Sequence, residues 1–477
     1  MKIKITLMLL CLISLTYLKV EAQDAPLDTL TRAVESLQQR EDIKDRLKIS
    51  GYIQAQFQIT DSAGSRGFAG GNFDSGVDKR FHLRRGRIKF QYTSPSNDKG
   101  WSTSQYVLQF DVTQAGMTIK DAYAKFTDPW SGWFSITAGM QNRPFGYDII
   151  MSSSVRESPE RGRMSQIIMP NERDLGGMLT IQGPKQSMWN WVKIDLGLFN
   201  GTGAPSAGAN TSDFDKFKDF IGHLGLSKAS KSEMIKWGLG ASLYDGGFRQ
   251  DVSNLYSFGT DDQGVKGFKI EKNKSDVNPN IALRKRVKRQ YIGFDGQLSI
   301  DWFLGLTTIR AEYIQGTQTA TYGSSTSPNS PPVSVVTTNS TYVVTDTSGA
   351  TQSITTSTTS TVASDLYSRK FNGAYFYFVQ NIGHSPFQVV LKYDWYDPNT
   401  DVSGDEIGKS VTGNLKPTNA TDIKFDTYGF GLVYRWDANV KITAYYDLVK
   451  NETSQNLSGW TRDIPDNVFT LRTQIKF

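Results

Sequence analysis

From Lys48 onward, apolar and polar residues alternate one by one in short runs. Within residues 48–60, Ile49, Ile53, Ala55, Phe57 and Ile59 share one parity, and Tyr52, Gln54, Gln56 and Gln58 share the other. A period of two places the two sets on opposite faces of a β-strand. The pattern returns with Leu108, Phe110 and Val112 against Gln109 and Asp111, and with Phe134, Ile136, Ala138 and Met140 against Ser135, Thr137 and Gln141. Phe387, Val389, Leu391, Tyr393 and Trp395 oppose Gln388, Lys392 and Asp394, and Phe469, Leu471, Ile475 and Phe477 oppose Thr470, Arg472, Gln474 and Lys476. Sixteen strands are predicted, beginning near Lys48, Phe81, Trp101, Ile119, Trp133, Leu175, Asn190, Asp219, Glu233, Arg289, Leu304, Arg369, Phe387, Asp422, Val440 and Asn467.

The connections sort by parity as well. Every second one is short, at 95–100, 128–132, 184–189, 228–232, 301–303, 381–386 and 435–439. Those between are long, at 61–80, 142–174, 201–218, 245–288, 317–368, 398–421 and 452–466, with 113–118 as the short exception. A soluble sandwich has no reason to segregate loop length in this way. Short periplasmic turns and long extracellular loops belong to an all-β, transmembrane antiparallel β-barrel of about sixteen strands. The even strand number puts both ends of the barrel on the short-turn side.

Composition narrows the class. Hydrophobic residues are 38% and mean hydropathy is −0.41, yet aromatics reach 12% and there are 43 glycines. A disordered chain would be poor in aromatics, and after the first residues no apolar run is long enough for a spanning helix. The net charge is +6. Residues 1–22 read as a secretory signal: Lys2 and Lys4, an apolar run from Ile5 to Leu15, then Val20 and Ala22 at a small-residue cleavage site. Its removal takes three lysines and one glutamate, leaving +4 of the original +6. That balance does not suggest nucleic acid. The one cysteine, Cys11, lies within the signal, so the mature chain is expected to have no disulfide. Residues 23–47 form a helical lead, with Leu30, Val34 and Leu37 on one face. It reads as a periplasmic spacer or, less simply, a self-association element. The barrel then occupies 48–477.

Two long loops differ from ordinary solvated tips. Residues 317–364 are rich in Ser and Thr with few charges, the composition of a flexible extracellular loop. Residues 142–174 mix Pro, Met and Ile with alternating charge, which suits a loop that folds into a lumen.

Several segments resemble the phosphate-selective porin O and P family. They are FHLRRGRIKFQ (81–91), DAYAKF (121–126), GMQNRPFG (139–146), PNERDLGGM (170–178), GLFNGTG (197–203) and KYDWYDPNT (392–400), in order over almost the whole barrel region. The resemblance implies a homotrimer of sixteen-stranded outer-membrane barrels, with the third long loop folded into the lumen and an anion pathway lined by Arg and Lys. Carried onto this chain, Arg85, Arg87 and Lys89 would line the wall. Arg143, Arg156, Arg161, Arg163 and Arg173 would sit on or beside the in-folded loop.

The residues themselves support the wall placement. Gly86, Ile88, Phe90 and Tyr92 form the apolar parity of that strand, which sends Arg85, Arg87 and Lys89 inward. A cation facing lipid at mid-depth costs about 2–4 kcal/mol. Glu157, Glu160, Glu172 and Asp174 accompany the loop arginines, however, so the field is either anion-attracting or transverse. The basic run Arg284, Lys285, Arg286, Lys288 and Arg289 reads equally as an anion funnel, a lipopolysaccharide-phosphate site or a solvated rim.

Other chemistry is weak. His82, His223 and His384 are widely separated, and no zinc spacing, phosphate loop or nucleophile motif occurs, so no enzyme and no cofactor is expected. Asp397, Asn399 and Asp401 resemble the start of a calcium loop, but Val402 stands where that loop needs glycine. The expected function is passive diffusion of small solutes, with phosphate or other small anions favoured, through the outer membrane of a Gram-negative bacterium. Membrane lipid and lipopolysaccharide would surround the barrel. The alternative is a non-conducting structural or adhesive barrel acting through its long loops.

Overall fold

The computed structural model describes residues 46–204, 213–250, 254–271, 285–330, 332–345, 348–349 and 351–477. The signal segment, and all but the last two residues of the 23–47 lead, lie outside the described residues. Residues Ile49–Phe477 form one compact unit, a β-barrel.

Its wall begins with β1 (Leu47–Thr60), β2 (Lys79–Thr93), β3 (Ser104–Thr113), β4 (Gly116–Thr127), β5 (Phe134–Asn142), β6 (Arg173–Gln182), β7 (Val192–Phe199), β8 (Asp219–Ala229) and β9 (Ile235–Arg249). A loop hairpin, β10 (Leu255–Thr260) and β11 (Lys266–Ile270), precedes β12 (Arg286–Trp302) and β13 (Gly305–Ala320). A second hairpin, β14 (Val333–Thr345) and β15 (Thr351–Ala363), precedes β16 (Leu366–Asn381), β17 (Phe387–Asp397), β18 (Phe425–Arg435), β19 (Val440–Asn451) and β20 (Val468–Lys476). The main sheet has eighteen strands, sixteen of which form the wall once β10 and β11 are set aside. Wall neighbours are antiparallel, and β20 returns to β1 from Tyr52↔Lys476 to Thr60↔Val468, which closes the barrel. Each wall strand starts within three residues of its place in the alternation.

The faces are inverted relative to a soluble protein. Along β20, Leu471 and Ile475 are exposed, whereas Thr470, Arg472 and Gln474 are buried. Hydrocarbon outside and a polar interior explain both observations. Closure also pairs the backbone of every wall strand on both sides, as a bilayer demands. Two aromatic belts bracket the apolar zone. Near the short turns, Tyr106 lies 6.1 Å from both Tyr92 and Phe126, and Tyr434 lies 5.0 Å from Phe387 and 6.2 Å from Trp436. Near the long loops, Trp395 lies 6.5 Å from Tyr313 and 5.7 Å from Tyr393, which is 5.0 Å from Tyr428. Phe387 and Trp395, one in each belt, share β17. At ~3.3 Å per residue and ~40° of tilt they are separated by about 20 Å in height, close to the apolar band of such barrels.

Two stretches differ from the sequence reading. The Ser/Thr-rich region is a long hairpin rather than a plain flexible loop, with β14 and β15 in register from Val333↔Ala363 to Thr345↔Thr351. Its Thr and Val are β-formers whatever their polarity, and Thr341 and Thr355 are hydrogen-bonded across it at 2.9 Å. The 245–288 loop contains β10, which adds to the top of β16 through Leu255↔Leu366 and Tyr256↔Tyr367.

In detergent, the barrel is expected to give a β-dominated circular dichroism spectrum and to migrate faster on gels before heating than after. A mainly helical spectrum would contradict the closed wall.

Candidate functional site

The lumen is crossed by the segment between β5 and β6. Gly146 turns it inward at φ +59, and a Cβ there would collide with the Glu312 carboxylate on β13, so the position needs glycine. Beyond that turn, the backbone N–H groups of Tyr147 and Asp148 donate to Glu312 Oε2 at 3.0 and 2.9 Å, and Gly146 N donates to Ser242 Oγ at 2.9 Å. Phe145, Ile149, Met164 and Ile168 pack against Tyr244, Tyr291, Ile314 and Phe371 from the wall. This packing is why the loop carries Met and Ile. It includes one short helix, α1 (Arg163–Ile168). Elsewhere the loop is held by Tyr52 to Ser153 Oγ at 2.6 Å, Tyr377 to Ser158 at 2.6 Å, and Lys441 Nζ donating to the Arg156 carbonyl at 2.9 Å.

Charge completes the latch. Glu160 sits among Arg84, Arg85 and Arg472 at 2.9, 2.7 and 2.7 Å. Burial pushes its carboxyl up, but the three guanidinium groups outweigh burial and hold it well below the usual range. Glu172 is likewise opposed by burial and held well down by Arg161, Lys120 and Arg173. Arg161 and Arg173 are its ion-pair partners, and Lys120 is 3.7 Å away. Glu157 pairs with Arg310 at 2.7 Å, and that cation outweighs burial and lowers its carboxyl.

The eight basic residues named from the sequence therefore occupy different environments. Arg85 and Arg87 face inward and are buried, Arg87 pairing with Asp111 at 2.9 Å. Lys89 lines the inner part of the lumen. Arg173 reaches Asp121 at 3.0 Å. Arg143 is a tie across the base of the loop, donating to the carbonyls of Pro170 and Glu172 at 3.0 and 3.3 Å. Arg161 staples the loop internally through the carbonyls of Asp148 and Met151 at 2.6 and 2.8 Å. Arg156 is buried 3.8 Å from Asp148. Arg163 lies between aromatic rings, its Cζ 3.6 Å from the Phe425 centroid and 4.6 Å from that of Phe68. The basic run before β12 is not one patch. Arg284 lies outside the described residues, Arg286 is exposed and pairs with Asp245 at 3.1 Å, and Arg289 is buried on Asp219 at 2.9 Å.

Two cavities flank the loop. The outer one, about 910 Å³, opens toward the long loops and is lined by seven cations and four carboxylates. The inner one, about 500 Å³, is lined by Arg87, Lys89, Lys125, Arg173, Lys193 and Lys476, with Asp121 as its one carboxylate. Arg87 is the residue common to both linings. Lys120, Lys125, Lys193, Lys476 and Arg472 were not among the eight residues named from the sequence. For Lys125, Lys193, Lys476 and Arg472 the signal is the same inward parity, read on strands that lack a conspicuous basic run. Lys120 has the parity of exposed Phe126 and sits at the register shift of β4 opposite Gln109 and Phe110. Arg84 has the outward parity, and only its reach to Glu160 brings it into the lumen.

A closed sixteen-stranded wall with an apolar outer face, two aromatic belts and a loop folded into a polar lumen defines an outer-membrane β-barrel of the porin type. No family model and no curated protein matches the chain. Among solved structures, it is similar to an anion-selective porin from Comamonas acidovorans (9% identity, 90% of this chain and 99% of that one, TM-score 0.46). It is also similar to the outer membrane channel DcaP of Acinetobacter baumannii (10% identity, 90% and 97%, TM-score 0.48) and to Pseudomonas putida OprB (9% identity, 93% and 97%, TM-score 0.47). The fold assignment rests on the strand pairing of this chain, not on these likenesses.

Two substitutions test the latch. Because Glu160 is depressed, its contribution is present at neutral pH and is lost only as pH falls through the lowered value, so stability to urea should hold from pH 7 to pH 5. Glu160→Gln should lose on the order of 3–5 kcal/mol at neutral pH, because buried arginines are left without their carboxylate. Gly146→Ala should lower the unfolding midpoint, with at least about 1–2 kcal/mol from the left-handed backbone alone.

Proposed function

We propose that the barrel is a passive diffusion porin that prefers small anions, phosphate among them. The supporting observation is the inner cavity, lined by six cations. Arg87, Arg173 and Lys193 are paired with Asp111, Asp121 and Asp195, while Lys125 and Lys476 have no ion-pair partner among the described residues. A narrow passage between low-dielectric walls focuses such a field and enriches ions of the opposite sign. On the outer side four carboxylates stand against seven cations, so selectivity is a net bias and not a one-ion filter. Arg87, common to both linings, is the residue where a route between the two cavities would run. We further propose a homotrimer, on the family resemblance of the sequence and on the unequal wall, where β5 and β7 have 9 and 8 residues against 17 in β12. No catalytic role is proposed.

A plugged barrel acting through its loops is the competing reading, favoured by the latch on so many strands. Conductance in a planar bilayer separates the two, since a plugged barrel carries no current. If the channel conducts, a cation ~6 Å from a passing anion at an effective dielectric near 40 contributes roughly 1.4 kcal/mol before screening. Half of that is about a threefold change in occupancy. Arg87→Glu should therefore move the zero-current potential toward cations at low salt, and by less at 1 M, where the Debye length is ~3 Å. Arg286→Glu, outside both cavities, should leave it nearly unchanged. A wild-type pore already selective for cations at low salt would refute the anion preference.

A further inference from the structure

Arg163 stands apart from the other buried arginines of the outer cavity. Arg85, Arg87 and Arg161 each have a carboxylate partner, on Glu160, Asp111 and Glu172. Arg163 has none among the described residues, although it is only 9% exposed, and its Nε has no hydrogen-bond acceptor. The nearby Asp394 accepts the Arg163 backbone N–H at 3.3 Å, but its charge is met by Lys392 at 2.6 Å. The complementary orphan lies in the same cavity. Asp466 is 8% exposed, and its Oδ1 has no hydrogen-bond donor. Neither side chain reaches the other as an ion pair. A small enclosure of about 30 Å³ touches both and is large enough for a water, which solvates but does not neutralise.

Two unpaired, opposite charges held nine-tenths buried are costly unless something completes them. Apolar surface lies beside them: Trp460, 5.9 Å from Phe425 edge-on, together with Met169 and Phe68, lines the same cavity. We propose that the outer cavity binds a small zwitterion with a planar apolar body, the chemistry of an aromatic amino acid or of a short peptide that ends in one. Its carboxylate meets Arg163, its ammonium meets Asp466, and its ring lies on Trp460 and Met169. Burial pushes the Asp466 carboxyl up to about 6, with Arg163 opposing and Asp463 adding to the shift, so the group is anionic at pH 8. Burial brings Arg163 down to about 10, which leaves it charged there. The proposal deepens the porin reading by naming a solute class, but the site is tested by binding, which needs no current.

The experiment is titration calorimetry at pH 8 on the whole barrel in detergent. Phenylalanine and glycyl-phenylalanine carry the same two charges at different separations. Phenylacetate lacks the cation, phenethylamine lacks the anion, and glycine lacks the ring. One or both of the first two should bind about tenfold more tightly than any of the last three, the scale of one charged hydrogen bond. Arg163→Gln and Asp466→Asn should each remove that advantage, with unheated gel mobility unchanged. A flat ligand series in the wild-type protein overturns the site, and so does phenylalanine binding that survives both substitutions. Binding without conductance would sink the porin reading and leave the site standing. Conductance with a flat series would do the reverse.

Discussion

Everything in the lumen depends on one electrostatic constraint. A wall that turns Arg84, Arg85, Arg87, Arg310 and Arg472 toward a common interior cannot close around them unless carboxylates separate the cations. Asp111 and Asp121 of the wall serve Arg87 and Arg173. The remaining neutralisation comes from the in-folded loop through Glu157, Glu160 and Glu172. The loop thus sits in the lumen because the wall's charge holds it there, and the wall tolerates its charge because the loop is there.

That mutual dependence decides where selectivity can reside. Glu160 offsets one of the three charges of Arg84, Arg85 and Arg472 that converge on it. Of the lysines of the inner cavity, Lys193 is paired with Asp195, and Lys125 and Lys476 have no ion-pair partner among the described residues. The resemblance to a phosphate-selective family draws attention to the arginine ladder of β2. In this barrel Arg85 holds the loop through Glu160, and the lysines of the inner cavity lie nearer the short turns.

The fold was largely legible because lipid outside and polar lumen inside impose the same parity on every wall strand. Short turns against long loops then fixed the sidedness. The two loop hairpins escaped detection because neither faces lipid: β14 and β15 carry Thr and Ser on both faces, and β10 and β11 are short. The site was legible only as a set of inward cations. Which of them hold the loop, as Arg143 and Arg161 do, depends on carbonyl positions that no one-dimensional pattern carries. The placement of Arg163 between Phe68 of the first long loop and Phe425 at the start of β18 is equally invisible in the sequence, since both are remote from it in the chain.

The position of the latch has a consequence for how the chain reaches this state. The seam that closes the barrel joins β1 to β20, partners more than four hundred residues apart, and pairing at that separation is entropically costly. The in-folded loop bridges that seam: Gln54 of β1 donates to the Ser153 carbonyl at 3.0 Å, and Gln474 of β20 donates to the Ser154 carbonyl at 3.0 Å. Arg472 of β20 and Arg85 of β2 meet on Glu160. The loop therefore acts as a clasp that brings the first and last strands to the same place. The side chains that hold the loop in the lumen are thus also the ones that hold the barrel shut.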